Sequence, residues 1–259
     1  MINIIFGAPG TGKSTFNTFL LISEFWEEGL HLLSESKKKI IELNATRTSP
    51  LTLPDRPPLY SDFKMNLKTG YKKSFEPYFV DGFHLGLDND VMDVMHLPPG
   101  SKIHLSEVQR YYDSRKSQTF PEWVSRYFEM HRHYNVDITM DIQRSSLVDV
   151  NIRDLCRHFI EIQSMIHTFD DLERIIHTKF VCREFGSYQD VEDYQNKKKK
   201  NYDTVKYEYD GDIYSCFDSC AYFNKFVPGD NKDFSYMIYG DNSIIEPKEF
   251  RHGKTKKAA

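Results

Sequence analysis

A glycine-rich stretch near the start of the chain carries the residue types that bind phosphate. The stretch reads GAPGTGKST and comprises Gly7, Ala8, Pro9, Gly10, Thr11, Gly12, Lys13, Ser14 and Thr15. Glycines let the backbone curl so that consecutive N–H groups point at a phosphate, while the lysine supplies charge and the serine a hydroxyl for Mg²⁺. A predicted strand precedes the stretch and a predicted helix follows it, and the helix dipole favours an anion. The stretch therefore predicts a site for a nucleoside triphosphate with Mg²⁺, and ATP is expected because no N-K-x-D guanine signature occurs.

Hydrolysis also requires a carboxylate that orients the attacking water, usually at the end of a strand beside the phosphate-binding strand. The segment SKIHLSEVQ (101–109) offers Glu107 directly after an alternating strand pattern. In most such enzymes an aspartate precedes this glutamate and holds Mg²⁺ through water, but here the position is Ser106. A hydroxyl can contact a metal-bound water, yet it adds no charge. Glu107 is therefore the candidate catalytic carboxylate, and Ser106 is a metal-side candidate that lacks the usual charge.

A second predicted strand, VDITMDIQ (136–143), ends in polar groups that could complete the site. Gln143 stands where a sensor of the γ-phosphate would lie, and Asp141 is two residues earlier on the same face. Neighbouring strands lie about 4.8 Å apart, which would bring Asp141 towards Ser106. Because a buried carboxylate is costly, we hypothesise that Asp141 supplies the missing metal-side charge. The alternative is that Asp141 faces solvent or an arginine.

The elements predicted around these residues alternate between strands and helices. Helices are expected at 13–27, 34–44, 120–134 and 149–158, and strands at 2–6, 59–63, 78–87, 102–105, 136–143 and 159–163. The strand at 102–105 is expected to turn into a helix near Glu107. This alternation predicts an α/β fold with a mostly parallel sheet and helices on both faces.

The pattern changes after about residue 165. Two alternating segments, 177–185 and 202–216, flank a polar stretch at 190–200 and predict a β-ribbon with a mobile, charged tip. The four lysines at 197–200 are interpreted as a solvated loop, with contact to nucleic acid or lipid as the alternative. We expect a core at 1–165, an extension of the same domain at 166–250 and a disordered tail at 251–259.

Composition argues against several classes of protein. The chain has 259 residues, 39% of them hydrophobic and 28% charged, with a net charge of −4, which is typical of a globular domain without general attraction to nucleic acid. We expect no transmembrane segment, since no run of 18 residues is apolar, and no signal peptide. Four scattered cysteines suit a reducing cytosol.

Three further segments, together with the glycine-rich stretch, resemble the N-terminal ATPase domain of zonular occludens toxin (Zot)-like proteins, which include filamentous phage assembly ATPases. The segments are PPGSKIHLSEVQRYYDSR (98–115), FEMHRHYNVDITMDIQRSSLVDVNIRDLCRH (128–158) and YSCFDSCAYF (214–223). The family has an acidic pair where this chain has Ser106-Glu107, then a helix ending in His-Arg-His, a strand, Gln and Asn-Ile-Arg. The resemblance covers most of residues 1–225 and is most specific at 100–158.

The resemblance implies a RecA-like P-loop NTPase of the FtsK–HerA kind, with ATP and Mg²⁺ as cofactors. It implies that Lys13 and Ser14 bind phosphate and Mg²⁺, that Glu107 is catalytic, that Gln143 is the sensor and that Arg153 contacts a neighbouring subunit's nucleotide. His131 and His133 point apart on a helix, so they are either helix-end groups or contacts to a neighbour.

The same resemblance implies partners and a location. The protein would be a homo-oligomeric ring, expected to be a hexamer, in the bacterial cytoplasm at the inner face of the cytoplasmic membrane. Other phage assembly proteins and single-stranded DNA are candidate partners. Relatives commonly continue into a transmembrane helix and a periplasmic part, whereas this sequence ends at Ala259 without either. We expect a soluble variety, a fragment of a longer protein, or a chain whose anchor a partner supplies, with membrane contact that is peripheral or through a partner.

Three functions remain open at this point. The first is an ATPase that powers assembly or extrusion of a filamentous phage. The second is a viral DNA-packaging or translocating ATPase of the same fold. The third is a nucleotide-controlled binding protein without efficient hydrolysis, which the serine at position 106 suggests.

Overall fold

The fold is built on one mixed sheet flanked by helices. The computed structural model describes residues 1–48, 50, 52–54, 57–63, 78–79, 100–110, 112–115, 128–133 and 135–216. Its strands are β1 (Ile2–Phe6), β2 (Leu59–Ser61), β3 (Tyr78–Phe79), β4 (Lys102–Leu105), β5 (Asp137–Ile142), β6 (His158–Phe169), β7 (Ile175–Phe185) and β8 (Asp203–Asp210). Its α-helices are α1 (Lys13–Asn44), α2 (Val150–Leu155) and α3 (Tyr188–Gln195), and 3-10 turns occur at Val108–Arg110, Ser145–Leu147 and Ile213–Cys216.

The strand order is β3-β2-β4-β5-β1-β6-β7-β8. The first six strands in this order are mutually parallel, and β6, β7 and β8 form an antiparallel meander at one edge. Strand β5 lies between β1 and β4, so the prediction that the strand of Glu107 lies beside the phosphate-binding strand is wrong. The carboxyl ends of parallel strands meet at one edge of a sheet, and the residues that follow β1, β2, β4 and β5 therefore gather there.

Two apolar layers cover the two faces of the sheet. One layer packs under α2 and α3, and its buried members include Ile4, Phe6, Ile103, Leu105, Ile138, Met140, Ile142, Val148, Ile152, Phe159, Phe185 and Val191. The other packs under α1 and comprises Ile5, Phe16, Phe19, Leu21, Ile22, Leu59, Ile160, Ile162, Phe180, Cys182, Tyr209 and Ile213. A parallel sheet with helices on both faces confirms the predicted fold class, a RecA-like α/β P-loop NTPase fold with a C-terminal ribbon.

Helix α1 runs without a break for 32 residues, so the prediction of separate helices at 13–27 and 34–44 is wrong. Gly29 and Ser34 lie in its interior rather than at an end. A Cβ atom at Gly29 would lie 3.2 Å from Pro57 Cγ and 3.3 Å from the ring of Phe25. Close packing therefore explains the glycine, and the tertiary contacts override its low helix propensity.

The C-terminal ribbon differs in detail from its prediction. Strands β7 and β8 pair along their length as expected, but α3 and not a ribbon tip connects them. Ser187 caps α3 by accepting from the backbone N–H of Asp190, and the four lysines at 197–200 follow the helix as exposed residues. The hairpin tip lies instead between β6 and β7, because β6 extends to Phe169 and not to residue 163.

The other predicted elements are shorter than expected or lie outside the described residues. The helix at 149–158 spans Val150–Leu155, and the helix expected near Glu107 is a single 3-10 turn. Only the first two residues of the strand at 78–87 and the last part of the helix at 120–134 are described, and the tail at 251–259 is not. No helix in the described part of the chain is both long and apolar enough to cross a bilayer.

Candidate functional site

The glycine-rich stretch forms a tight turn between β1 and α1. Gly10 and Gly12 have φ angles of 79° and 90°, in the left-handed region that glycine adopts without strain. Gly7 is confined by its neighbours, because a Cβ atom there would lie 2.9 Å from Thr11 Oγ1 and 3.0 Å from the carbonyl oxygen of Ile162. The first turn of α1 includes Ser14 and Thr15, and its N-cap is Gly12, which has no side chain to bond the N–H groups of that turn. The arrangement is that of a phosphate cradle at a helix N-terminus.

Lys13 lies inside the cradle. Its side chain is buried, and its Nζ donates to the carbonyl oxygen of Ala8 at 3.1 Å. The Thr11 hydroxyl donates to the same carbonyl at 2.9 Å, and this bond stabilises the backbone conformation of the turn. Among the described residues this neutral carbonyl is the hydrogen-bond partner of the Lys13 ammonium, which can donate three hydrogen bonds and would bind an anion in the cradle.

The end of β4 lies against the start of α1. Ser14 Oγ and Ser106 Oγ are 3.2 Å apart, and either hydroxyl can be the donor. The backbone N–H of Ser106 donates to Asp62 Oδ1 at 2.8 Å. Asp62 is 1% exposed and directly follows β2, and sequence reasoning missed it because its role depends on β2 and β4 being neighbours. Ser106 is thus fixed between the cradle and a buried carboxylate.

Asp141 is completely buried and does not face solvent. Its Oδ1 accepts from the backbone N–H of Glu107 at 2.9 Å, and its Oδ2 accepts from Asn17 Nδ2 at 3.2 Å. The nearby Ser106 hydroxyl also works to lower the pKa of Asp141. Burial raises the pKa of Asp141 above its ordinary value, and these hydrogen bonds oppose that rise. The structure therefore brings Asp141 to Ser106, as the spacing of neighbouring strands predicted.

Glu107 occupies an unusual backbone conformation. Its φ angle is 54°, in the left-handed region that side-chain-bearing residues rarely adopt. The bond from its N–H to Asp141 holds this conformation, and the Gln109 amide donates to its carboxylate. A strained backbone of this kind persists only where the surroundings determine it, which is common at functional sites.

The other two candidate residues are Gln143, which follows β5, and Arg153, which lies on α2. Gln143 is exposed and directly follows β5 at the carboxyl edge. Arg153, on α2, packs its guanidinium 3.9 Å from the ring centroid of Tyr188 and donates to the carbonyl oxygen of Ser146 at 3.4 Å. Its Nε is buried and has no hydrogen-bond partner among the described residues. The structure thus places Gln143 at the edge of the site and Arg153 in contact with its own chain.

The two histidines of the His-Arg-His segment have different environments. The segment follows the helical residues 128–130, so both lie at a helix end as expected. His131 is buried, and its Nδ1 contacts the carbonyl oxygen of Phe128, whereas His133 is exposed. Burial lowers the pKa of His131 below its ordinary value. The two rings therefore do not form a joint site.

The oxygen atoms at this edge suit Mg²⁺ but do not form a complete cage. Ser14 and Ser106 offer hydroxyls, and Asp141 and Asp62 offer buried carboxylates, which are hard oxygen donors of the kind that Mg²⁺ prefers. Within the described ranges, no group of three or more His, Cys, Asp and Glu side chains could hold a metal ion by itself. The donor set therefore fits a metal that shares its ligands with nucleotide phosphates.

Comparison with known proteins bears on this site. The family model for zonular occludens toxin (Zot) matches residues 90–207, which include β4, Ser106, Glu107, β5 and α2. The resemblance to the Zot family is therefore confirmed over this range. None of the curated proteins matches the chain significantly.

Several solved structures are similar to the chain. The N-terminal domain of zonular occludens toxin from Neisseria meningitidis is 17% identical with a TM-score of 0.47, and the match covers 84% of this chain and 98% of that one. The genome-packaging NTPase of Sulfolobus turreted icosahedral virus 2 in complex with ATP-gammaS is 13% identical with a TM-score of 0.38, and the match covers 78% of this chain and 95% of that one.

Proposed function

We propose that this protein is an ATP hydrolase that powers the assembly and extrusion of a filamentous phage. The observation that carries the enzymatic part is the contact between Ser14 and Ser106, 3.2 Å apart. It joins the phosphate cradle to the strand end that bears Glu107, so the two halves of a hydrolytic site share one edge of the sheet.

Binding of the triphosphate rests on the cradle. The backbone N–H groups of Gly10, Gly12 and the first turn of α1 would surround the β-phosphate. Lys13 would exchange its bond to Ala8 for the phosphate oxygens, a gain because charged partners replace a neutral one. The hydroxyl of Ser14 would hold Mg²⁺, with Ser106 contacting it through water and Asp141 supplying negative charge close by. Bound there, Mg²⁺ would neutralise the charge on the β- and γ-phosphates.

Glu107 would take the proton of the attacking water. Its carboxylate is held by the Gln109 amide and its backbone by Asp141, so the acceptor is oriented before substrate binds. Gln143, exposed beyond the end of β5, would contact the γ-phosphate as a sensor. In this arrangement Asp141 holds the strained backbone of Glu107 and Gln109 holds its carboxylate.

A ring, expected to be a hexamer, would bring Arg153 to the nucleotide of a neighbouring subunit. Its guanidinium contacts Tyr188 in its own chain, so acting in trans requires exchange of that contact for a phosphate. The Nε atom that lacks a partner among the described residues favours this exchange.

The phage role is supported by the family match over residues 90–207. The ring would act in the bacterial cytoplasm at the inner face of the membrane, with phage assembly proteins as partners and a membrane contact that is peripheral or made by a partner. Single-stranded DNA is a further candidate partner.

The ATPase rate measured against protein concentration, with and without single-stranded DNA, tests the proposal. We expect Mg²⁺-dependent turnover that rises more steeply than linearly with concentration, because Arg153 acts between subunits. Glu107→Gln should lower kcat by about 10²-fold or more while nucleotide binding persists. Glu42→Gln, an exposed change in the last turn of α1, is the matched control and should leave both unchanged.

The same measurement separates the rival functions. Arg153→Ala should abolish the concentration dependence, whereas Arg157→Ala, four residues farther along the chain, should not. Strong stimulation by double-stranded DNA that disappears at high salt would favour a packaging translocase. Tight nucleotide binding without turnover at any concentration would reject an ATPase in favour of a nucleotide-controlled binding protein.

A further inference from the structure

A line of polar side chains runs through the core between α1 and the strands β4 and β5. We call it the polar seam and define it as Asn17, Glu24, Lys102, His104 and Asp141. Asn17, His104 and Asp141 are fully buried, and Glu24 and Lys102 bring the seam to the surface. The sequence shows it only weakly, as polar residues at positions 17 and 24 on one face of an otherwise apolar helix.

The hydrogen bonds of Asn17 fix the orientation of its side-chain amide. Its Nδ2 donates to the carbonyl oxygen of Leu105 at 3.0 Å and to Asp141 Oδ2 at 3.2 Å. Both of these partners only accept, so the amide cannot be turned over without facing oxygen with oxygen. Its Oδ1 must then accept, and the donor is His104 Nδ1 at 2.8 Å.

His104 connects this amide to the helix surface. Its Nε2 lies 2.9 Å from Glu24 Oε2, and Glu24 is also 3.7 Å from Lys102 Nζ. Lys102 in turn bonds to Glu28 at 2.6 Å. Every polar atom of the imidazole therefore has a partner, which fixes the ring and, through it, the side chain of Asn17.

The other end of the seam is the backbone of Glu107. Asp141 receives Asn17 on one oxygen and the Glu107 N–H on the other. That N–H belongs to a residue whose φ angle is 54°, a conformation that its surroundings must enforce. A continuous chain of hydrogen bonds thus joins Glu24, His104, Asn17, Asp141 and the backbone of Glu107.

We propose that the polar seam is a positioning device, in which His104 and Asn17 act through Asp141 to hold Glu107 in its left-handed conformation. The inference rests on the proposed function in taking Glu107 as the catalytic carboxylate. Neither His104 nor Asn17 touches the reacting atoms in this proposal. Their effect is on geometry, and a displacement of about 1 Å at a catalytic group can cost about 10²-fold in rate.

Two substitutions at one position separate positioning from packing. An asparagine amide nitrogen overlays histidine Nδ1, so His104→Asn keeps the donor to Asn17. A glutamine amide nitrogen overlays Nε2, so His104→Gln keeps only the contact to Glu24. We expect His104→Asn to retain kcat within about threefold of wild type and His104→Gln to lose about tenfold or more, with the Kd for a fluorescent ATP analogue unchanged in both.

The second readout needs no hydrolysis. Hydrogen exchange of the Glu107 amide, followed by NMR without nucleotide, should be as slow in His104→Asn as in wild type and at least tenfold faster in His104→Gln. Glu28→Gln, which touches Lys102 beyond the seam, is the control and should change neither readout. Should neither His104 variant fold, Asn17→Ala is expected to give the losses of His104→Gln in both readouts.

Each possible result of these measurements either supports or overturns the positioning role of the polar seam. Equal losses in both His104 variants, no loss in either, or an effect of Glu28→Gln on either readout would overturn the proposal. If wild type binds ATP without turning it over, the proposed function fails, and the exchange of the Glu107 amide still decides whether the seam positions it.

Discussion

The two flanks of helix α1 cover the same face of the sheet with opposite chemistry. Over β4 and β5 the helix presents Asn17 and Glu24, which bond to His104 and Asp141. Over β7 and β8 it presents Phe16 and Phe19, which pack against Phe180, Tyr207 and Tyr209 with ring centroids 5.1–6.3 Å apart. The division lies within one turn, because Phe16 and Asn17 are adjacent in sequence.

This difference separates stability from positioning. Apolar contacts are non-directional and stabilise a fold in proportion to the area buried, whereas buried hydrogen bonds contribute little net free energy but fix geometry. The aromatic flank should therefore determine how stable the domain is. The polar flank should determine where Glu107 lies.

The largest effect is expected on the aromatic flank. Phe180 is fully buried between Phe16 and Phe19, and Phe180→Ala removes its ring contacts and leaves a cavity. The free energy of unfolding should fall by about 3–5 kcal/mol, measured by urea denaturation. The turnover of the molecules that remain folded should be close to that of wild type. If fully folded Phe180→Ala has a lower kcat than wild type, the aromatic flank also affects turnover, and the proposed difference between the two flanks is wrong.

On the polar flank, Asp141→Asn should affect turnover more than stability. The change keeps the shape of the side chain but removes its charge and sets an amide N–H₂ against that of Asn17. We expect kcat to fall by about 10²-fold while the Kd for ATP changes little, since the cradle is intact. Steady-state kinetics across a Mg²⁺ titration measure this, with Asp137→Asn as the control on the same strand. Unchanged turnover would reject the metal-side role of Asp141.

The parts of the site that follow from local chemistry could be predicted from the sequence. The glycines, Lys13 and Ser14 sit in nine consecutive residues whose roles need only a strand before and a helix after. The approach of Asp141 to Ser106 followed from the fixed spacing of neighbouring strands, and β4 and β5 are neighbours. Their catalytic and metal roles stay predictions.

The parts that depend on tertiary partners could not be predicted. Asp62 and Asn17 are polar residues in unremarkable local patterns, and only the pairing of β2 with β4 and the placement of α1 bring them to the site. The same reason explains the single helix at 13–44, since Gly29 marks a contact with Pro57 and not a helix end. Propensity describes neighbours along the chain, and here the deciding neighbours are distant in sequence.

A smaller effect is expected where the polar seam reaches the surface. Burial works to raise the pKa of Glu24, but the charges and hydrogen bonds of His104 and Lys102 outweigh it and hold this pKa below its ordinary value. Stabilisation by a carboxylate of lowered pKa is present above its unfolded pKa and is lost as pH falls through its folded pKa. Glu24→Gln should therefore cost about 1–2 kcal/mol near pH 6 and less below about pH 4, measured by urea denaturation across this range. A cost independent of pH would show that the charge of Glu24 is not what the seam uses.

The smallest effect is expected from a glutamate-to-glutamine substitution at Glu208, on the exposed edge strand β8. Glu208 on β8 faces Lys179 on β7 at 2.9 Å, and this hydrogen bond and the lysine charge lower the pKa of Glu208. Its side chain is 54% exposed, so water and salt screen the pair. Glu208→Gln should leave the urea midpoint and kcat unchanged at physiological ionic strength. Because Glu24→Gln and Glu208→Gln remove the same charge from an ion pair, a loss at Glu24 alone would attribute the effect to burial in the seam, and equal losses would attribute it to charge pairing in general.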